Sequence, residues 1–541
     1  MFKKFILSSA LVALCAVMSA GNVKVYHNNV PVLVGNGRNV VCEISVENDG
    51  SFEKLTGIEA VINGLDPAAV TDARLVYSGT MSCVLSRTTS YVMQDMSWRL
   101  GGGLNLYDND RYVIDVCRKR PKSSGLLSLK CKRPLVKGMN YFYISLDVNA
   151  DKVDLAEAFT LDVNEVNIDR KAVEFENEGG TSEHRFGVSV RTHGDDGVYA
   201  YRIPGLVTTN AGTLIGTYDV RHNSSLDLQD DIDIGVSRST DGGKTWEKMR
   251  IVMDMGEWGG LPHAQNGIGD PSILVDENTG EIFIVAVWTH GLGNNRAWSA
   301  VDGGMEPETT AQLMMTSSRD DGKTWSKPRN LTKQVKVPHW KFTLQGPGRG
   351  ITMQDGTLVF PLQYIDSTRV PNACIMYSCD HGRFWKTHNL AKTNTTESQV
   401  AEIEPGLLML NMRDNRGTGR AVYTTDDMGR NWKEHCSSGQ LQEPVCQASL
   451  LNVPADKNVL GKDVLLFSNP NTSKGRHHIT IKASLDKGVT WHECNQLLLD
   501  AEVGWGYSCM TMLDDETIGI LYEGSNAQLV FQAVKLRDVV H

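Results

Sequence analysis

Apolar positions along this chain fall mostly in short period-2 runs and seldom at helical spacing. Val40–Val46, Arg111–Cys117 and Tyr141–Val148 are the clearest runs, each the signature of a strand with one face buried. Asn48-Asp49-Gly50 and Asn63-Gly64 supply turn chemistry between such runs. From Val23 to about Phe175 this pattern predicts an antiparallel β-sandwich, giving a domain over residues 22–180. The polar, glycine-containing stretch Glu174–Glu183 reads as a linker out of it. The opening segment has a different pattern. Lys3 and Lys4 precede an apolar run, Phe5–Met18, and a small-residue zone, Ser19-Ala20-Gly21, which together read as a secretory signal over residues 1–21. Such a run is too short to span about 30 Å of hydrocarbon. Leu14 ahead of Cys15 stands where lipidation needs a small residue. No later segment reaches the length of a membrane span. The expectation is an exported protein, periplasmic, extracellular or at the cell surface.

Beyond residue 181 a repeat governs the reading. Ser239–Trp246 (STDGGKTW), Ser318–Trp325 (SRDDGKTW) and Ser484–Trp491 (SLDKGVTW) share the form Ser-x-Asp-x-Gly-x-Thr-Trp. Ser378–Trp385 (SCDHGRFW) has Phe384 for Thr, and Thr425–Trp432 (TDDMGRNW) departs at Thr425 and Asn431. Each is a tight turn: Asp caps backbone N–H groups, Gly takes a positive φ, and Trp packs on neighbouring strands. The aspartates recur at a mean interval of about 61 residues, long enough for four short strands, which is one propeller blade. Residues 181–541 hold six such units. The fold class expected is all-β, a six-bladed β-propeller preceded by a β-sandwich.

Composition adds exclusions. With 54 Lys+Arg against 64 Asp+Glu the net charge is −10, or −12 once Lys3 and Lys4 are removed. That argues against a nucleic-acid binder but leaves room for a small anionic ligand held by local arginines. At 22% charged and 41% hydrophobic the chain is not disordered, collagenous or multi-spanning. Eleven cysteines are too dilute for a disulfide scaffold, and their pairing stays open. Cys374 and Cys379 lack zinc-finger spacing, and the adjacent His477 and His478 would point to opposite faces of a strand, so neither a metal nor a cofactor is expected. Gly346-Pro347-Gly348-Arg349-Gly350 lacks the Lys-Ser/Thr ending of a phosphate loop and reads as a turn.

Tyr201-Arg202-Ile203-Pro204 at the head of the repeat region, with five aspartate turns behind it, resembles the exo-sialidase (neuraminidase) family over roughly residues 184–541. The resemblance implies hydrolysis of terminal sialic acids from glycoproteins, gangliosides and oligosaccharides. A carboxylate on the anomeric carbon calls for cationic forks and would repel a carboxylate nucleophile, which is why sialidases use Tyr. The resemblance assigns Arg202, Arg413 and Arg476 as the carboxylate-binding trio, with Arg416 and Arg420 as alternatives to Arg413. It makes Tyr507 the nucleophile and Glu397 its base, with Glu402 and Glu404 as rival bases; Tyr522 reads as core. Asp227, six residues after Arg221, is the acid/base, and Asp230 its rival. Arg221 is expected against the sugar's carboxylate or 4-hydroxyl, and Asp270 on its N-acetyl side.

Two further readings stand beside this one. A trans-sialidase would share these residues and pass the sugar to an acceptor. A non-catalytic glycan-binding propeller would lack the set Asp227, Glu397 and Tyr507, all present here. The sandwich reads either as a carbohydrate-binding module, with Trp98, Tyr107, Tyr141 and Tyr143 available to stack on sugars, or as a spacer.

Overall fold

The computed structural model describes residues 23–37, 39–80, 82, 114–179 and 181–541. The signal segment, Trp98, Tyr107 and the first part of Arg111–Cys117 lie outside these residues. Two sheets of antiparallel strands face each other at the N-terminal end. One runs Val23–His27, Asn39–Asn48, Gly138–Val148, Val70–Gly79 and Ile114–Lys119. The other centres on Leu126–Pro134, Lys54–Asn63 and Ala158–Ile168. Alternation puts Cys42, Ile44, Ile58, Phe142 and Leu161 into a common core between them. Tyr143 is fully buried and its hydroxyl donates to Glu43 at 3.0 Å, so it is a core residue and not a sugar platform.

Past the sandwich, sheets of four to six strands are arranged as blades. Blade one is Ala200–Thr208, Leu214–Arg221, Ile232–Ser239 and Arg250–Met253. Blades two to five open on Ile268–Val275, Thr343–Gln345 with Ile351–Thr352, Thr395–Glu404 and Ser449–Val453. Their strands are buried on both faces because each sheet is covered by the next. Blade six takes Ser508–Met512, Thr517–Tyr522 and Leu529–Lys535 from the end of the chain and its outer strand, Glu183–Arg191, from the start of the region. Val188↔Phe531 and Ser189↔Val530 pair across this seam and close the ring.

The five turn motifs join the third and fourth strands of blades one to five. All five share the bonds from the first side chain to Asp, from Gly N to the first side chain and from the seventh residue's N to Asp, and Phe384 alone lacks the side-chain bond to Asp made at that position elsewhere. In the second, Ser318 Oγ donates to Asp320 at 2.9 Å, Gly322 N donates to Ser318 Oγ at 2.9 Å, and Asp320 accepts from Thr324 N and Oγ1 at 2.8 and 2.6 Å. At Gly322, φ is +74° and a Cβ would meet Ile215 of blade one at 2.5 Å, so this position needs glycine for both its conformation and its packing. Asn431 replaces Thr in the fourth motif and donates to Asp427 at 2.7 Å. Blade six needs no such turn, because its fourth strand, Glu183–Arg191, comes from the start of the region.

The stretch Glu174–Glu183 is not a free linker. Glu176–Asn177 pairs in parallel with Lys24–Val25, Glu178 N donates to Val25 O at 2.7 Å, and Thr181 N donates to Asn29 Oδ1 at 3.0 Å. Its polarity is that of an exposed sheet edge, which composition alone does not distinguish from a linker. The following strand pairs with the sandwich through Glu183–Arg185 and with blade six through Val188–Arg191, so one strand belongs to both units.

Candidate active site

In an antiparallel blade the first strand starts, the second ends and the third starts at one end of the ring. Residues at those positions therefore converge, while the aspartate turns lie at the opposite end. Arg202 sits near the start of a first strand, as do Asp270 and Glu397. Arg413 ends a second strand, Asp227 and Arg476 lie in second-to-third strand loops, and Tyr507 immediately precedes the first strand of blade six. These seven side chains line one cavity of about 610 Å³, together with Arg296, Trp298, Phe342, Gln363 and Asn415.

Irregular backbone aims three of them. The pairing register shifts between Arg202 and Gly205, between Gly269 and Ser272, and between Thr395 and Ser398. Each bulge re-orients a side chain at the head of an otherwise regular strand. Ile203 has φ +60° and Asp270 +58°. A β-branched residue in that region is strained and needs its surroundings to hold it. Ile203 N donates to Glu523 Oε1 at 3.0 Å, and Asp270 N to Asp219 Oδ1 at 2.8 Å.

Tyr507 Oη donates to Glu397 Oε1. Arg413 Nη1 donates to Glu397 Oε2 at 2.6 Å and to Tyr507 Oη at 3.2 Å. Burial, reinforced by the Glu397 charge, pushes the Tyr507 hydroxyl well above the ordinary tyrosine value, against the pull of Arg413 and Arg476. That favours the neutral phenol, hydrogen-bonded to the Glu397 carboxylate. Arg202 stacks over Trp505 at 4.7 Å, and its Nε donates to Glu523 Oε1 at 3.0 Å. Arg476 donates to the carbonyls of Trp505 and Val445 at 3.1 and 3.3 Å. Asp227 projects into the cavity with its side chain 74% exposed, 2.9 Å from Arg221 and 3.7 Å from Arg202. Burial of its surroundings raises its carboxyl, but the Arg221, Arg202 and Arg476 charges prevail and hold it at about 2. Burial pushes Asp270 well above the carboxylate range, and the charges of Asp219 and Asp227 push the same way.

Not every residue expected at the site faces it. Arg221 is 1% exposed and does not line the cavity; its fork grips Asp219 at 2.8 Å and Asp227 at 2.9 Å. Its guanidinium is held between the buried Asp219 and the cavity-lining Asp227. Asp230 accepts from Asn223 and Ser224 and stays in its own loop. Glu402 caps Gln354 N and Gly406 N, and Glu404 pairs with Lys487, both remote from the cavity. Arg416 is taken up by Asp414 and Thr393, and the fully buried Arg420 by Glu443 and Asn411. Tyr522 is core, its hydroxyl bonded to Gln532 at 3.0 Å. Glu523 went unrecognised in the sequence, where Tyr522-Glu523-Gly524 carries no motif; only its buried bonds to Arg202, Ile203 and Tyr507 reveal it. His222, Asp231 and Asp233 offer ligand atoms within 4.8 Å of one another, but the His222 ring already bonds Asp233 at 2.9 Å and the group reads as a loop ion pair. The nine described cysteines are free thiols.

The arrangement has three cationic forks facing an acceptor pocket, a phenol joined to a carboxylate, and a second carboxylate opposite. Residues 220–521 match the family described as BNR repeat-like domain, and residues 20–172 that described as the N-terminal domain of BNR-repeat neuraminidase. A sialidase of Bacteroides fragilis is 52% identical over the whole of both chains. A sialidase of Micromonospora viridifaciens is 31% identical over 61% of this chain and 51% of its own length. Among solved structures, a Hadza microbial sialidase superposes with a TM-score of 0.89 at 50% identity, covering 96% of this chain and all of that one.

Proposed function

Because this chain belongs to the bacterial sialidase (neuraminidase) family and is an exo-α-sialidase, we propose that it cleaves sialosides with net retention through a covalent glycosyl-tyrosine on Tyr507. The observation that carries the reading is the direct Tyr507–Glu397 hydrogen bond inside a cavity lined by Arg202, Arg413 and Arg476. The arginines bind the carboxylate of a terminal sialic acid on a glycoprotein, ganglioside or oligosaccharide and fix the anomeric carbon over the phenol. Asp227 gives a proton to the departing glycosidic oxygen as that bond breaks. Tyr507 Oη passes its proton to Glu397 and bonds the anomeric carbon, spreading the negative charge that a carboxylate nucleophile would concentrate beside the sugar's own. Asp227, now ionised, takes a proton from water, which attacks the same face; the C–O bond to Tyr507 breaks and Glu397 returns the proton to the phenolate.

The state of Asp227 fits a proton donor that is armed by its substrate. In the empty site the arginine charges keep it ionised. A bound sugar carboxylate spends those same charges, so the proton affinity of Asp227 rises when it is needed. The opening segment, basic then apolar, supports export before the enzyme meets its glycans.

Incubation with a 3-fluorosialosyl fluoride, whose second step is slow, should leave a sialyl adduct on Tyr507 by peptide mass spectrometry. Tyr507→Phe should lose on the order of 10³-fold or more in kcat on an unactivated sialoside. An adduct on another residue, or a Tyr507→Phe rate equal to wild type, overturns the nucleophile assignment.

A further inference from the structure

The nucleophile and base come from blades that are not neighbours: Glu397 lies in blade four and Tyr507 at the head of blade six. Something must hold them at bonding distance across blade five. The segment Gly346–Gly350, which interrupts the first strand of blade three, is placed to do so. Pro347 O accepts from Gln399 Nε2 in the first strand of blade four at 2.8 Å and from Gln447 Nε2, just ahead of blade five, at 3.3 Å. Arg349 Nη1 donates to Met510 O of blade six at 3.0 Å, Gly350 N donates to Ile273 O of blade two at 2.9 Å, and a Cβ on Gly205 of blade one would meet Gly348 O at 2.5 Å. A segment that touches all five other blades lies on the propeller axis.

From that axis two short paths lead to the reacting pair. Gln399 is two residues beyond Glu397. Gly346 packs against the residue between them, since a Cβ there would stand 2.5 Å from Ser398 O, and only glycine permits that approach. Gln447 grips Ser508, the residue after Tyr507: its Oε1 accepts from Ser508 N at 3.0 Å and its Nε2 donates to Ser508 O at 3.1 Å. Gln399, Gln447 and Ser508 are all within 1% of complete burial. Both lone pairs of one carbonyl are therefore used by two buried amides, one two residues from Glu397 and the other bonded to the residue after Tyr507. Buried amides hold position without adding charge beside the Tyr507–Glu397 pair, where a carboxylate or ammonium would shift its proton equilibrium.

We propose that the Pro347 carbonyl, held by Gln399 and Gln447, is the fixed point that sets the Tyr507–Glu397 separation, which makes the two glutamines positioning residues. The inference rests on the reading of Tyr507 as nucleophile and Glu397 as its base.

The test is a double-mutant cycle on the full chain with an activated aryl sialoside. Gln447→Met keeps the volume and removes both donor and acceptor. Its kcat should fall on the order of 10- to 100-fold, the effect of a misplaced reacting group, with KM within about twofold. In a Tyr507→Phe background the same change should alter the residual turnover by less than about twofold, because the group it positions is gone. Equal fold-losses in both backgrounds, or an unchanged kcat, would overturn the proposal. If Gln447→Met melts below the assay temperature, Gln399→Met, which removes a single donor to Pro347, carries the same two expectations and the same refutation. A Tyr507→Phe enzyme at wild-type rate instead refutes the nucleophile reading itself.

Discussion

Replacing Glu523 by Gln should disable the enzyme although it alters none of the residues expected at the site. The Glu523 side chain is fully buried and its carboxylate accepts four hydrogen bonds: from Arg202 Nε and Nη2 at 3.0 and 3.4 Å, from Ile203 N at 3.0 Å and from Tyr507 N at 3.0 Å. An amide of the same shape must turn its NH₂ toward some of these donors and carries no charge to offset the buried guanidinium. Bonds of this kind contribute about 1.5–3 kcal/mol each and are not additive; breaking a buried ion pair on one side costs about 3–5 kcal/mol. The structure divides that loss between two readouts. Arg202, released from Glu523, has Asp227 3.7 Å away as its next partner, so part of the carboxylate fork is lost and the Asp227 proton is held off more strongly. Tyr507 loses its backbone anchor and drifts from Glu397. If about 3 kcal/mol of this appears in the transition state, kcat/KM falls more than about 100-fold, with KM rising and kcat falling together. The assay is steady-state hydrolysis of a fluorogenic sialoside, paired with guanidinium unfolding followed by tryptophan fluorescence. A variant within about threefold of wild-type kcat/KM and within about 1 kcal/mol in stability would show that Arg202 and Tyr507 do not depend on Glu523.

Two further outcomes follow from charge. Binding of a sialic-acid analogue should take up a proton at Asp227, more at pH 5 than at pH 7, seen by calorimetry in buffers of different ionisation enthalpy; identical uptake by Asp227→Asn would assign the proton elsewhere. His184 packs against Phe159 and His27 at the seam between sandwich and propeller, and burial, aided by repulsion from His27, lowers it to about 3. Below its unfolded value of 6.5 the unfolded chain gains a proton that the folded one refuses, so stability should fall between pH 6.5 and 3 by up to about 1.4 kcal/mol per unit. Denaturation midpoints of His184→Leu should flatten over that window; an unchanged slope rules the residue out as the source.

Local chemistry and long-range chemistry separate cleanly in this chain. The sandwich strands Asn39–Asn48 and Gly138–Val148 were legible because alternation is a local property, and five blades because each aspartate turn closes its bonds within eight residues. The sixth blade has no such mark. Its outer strand, Glu183–Arg191, precedes its partner by more than three hundred residues, and no local feature of either strand marks the pairing. The site divides in the same way. Arg413 in its motif context could be singled out, yet Arg416 and Arg420 could be discounted only when Asp414, Thr393, Glu443 and Asn411 were seen to occupy them. That Arg221 is buried between Asp219 and Asp227 is likewise invisible in the sequence.

The sequence by itself determined the repeat and the fold class, because each is written in residues close together in the chain, and its family resemblance named the candidate reacting groups. Only the tertiary structure decided which side chains point at one another. Glu523 beneath Arg202, and Pro347 between Gln399 and Gln447, are meetings of backbone and side chain across the ring, and no spacing along the chain encodes a contact made by closing a circle.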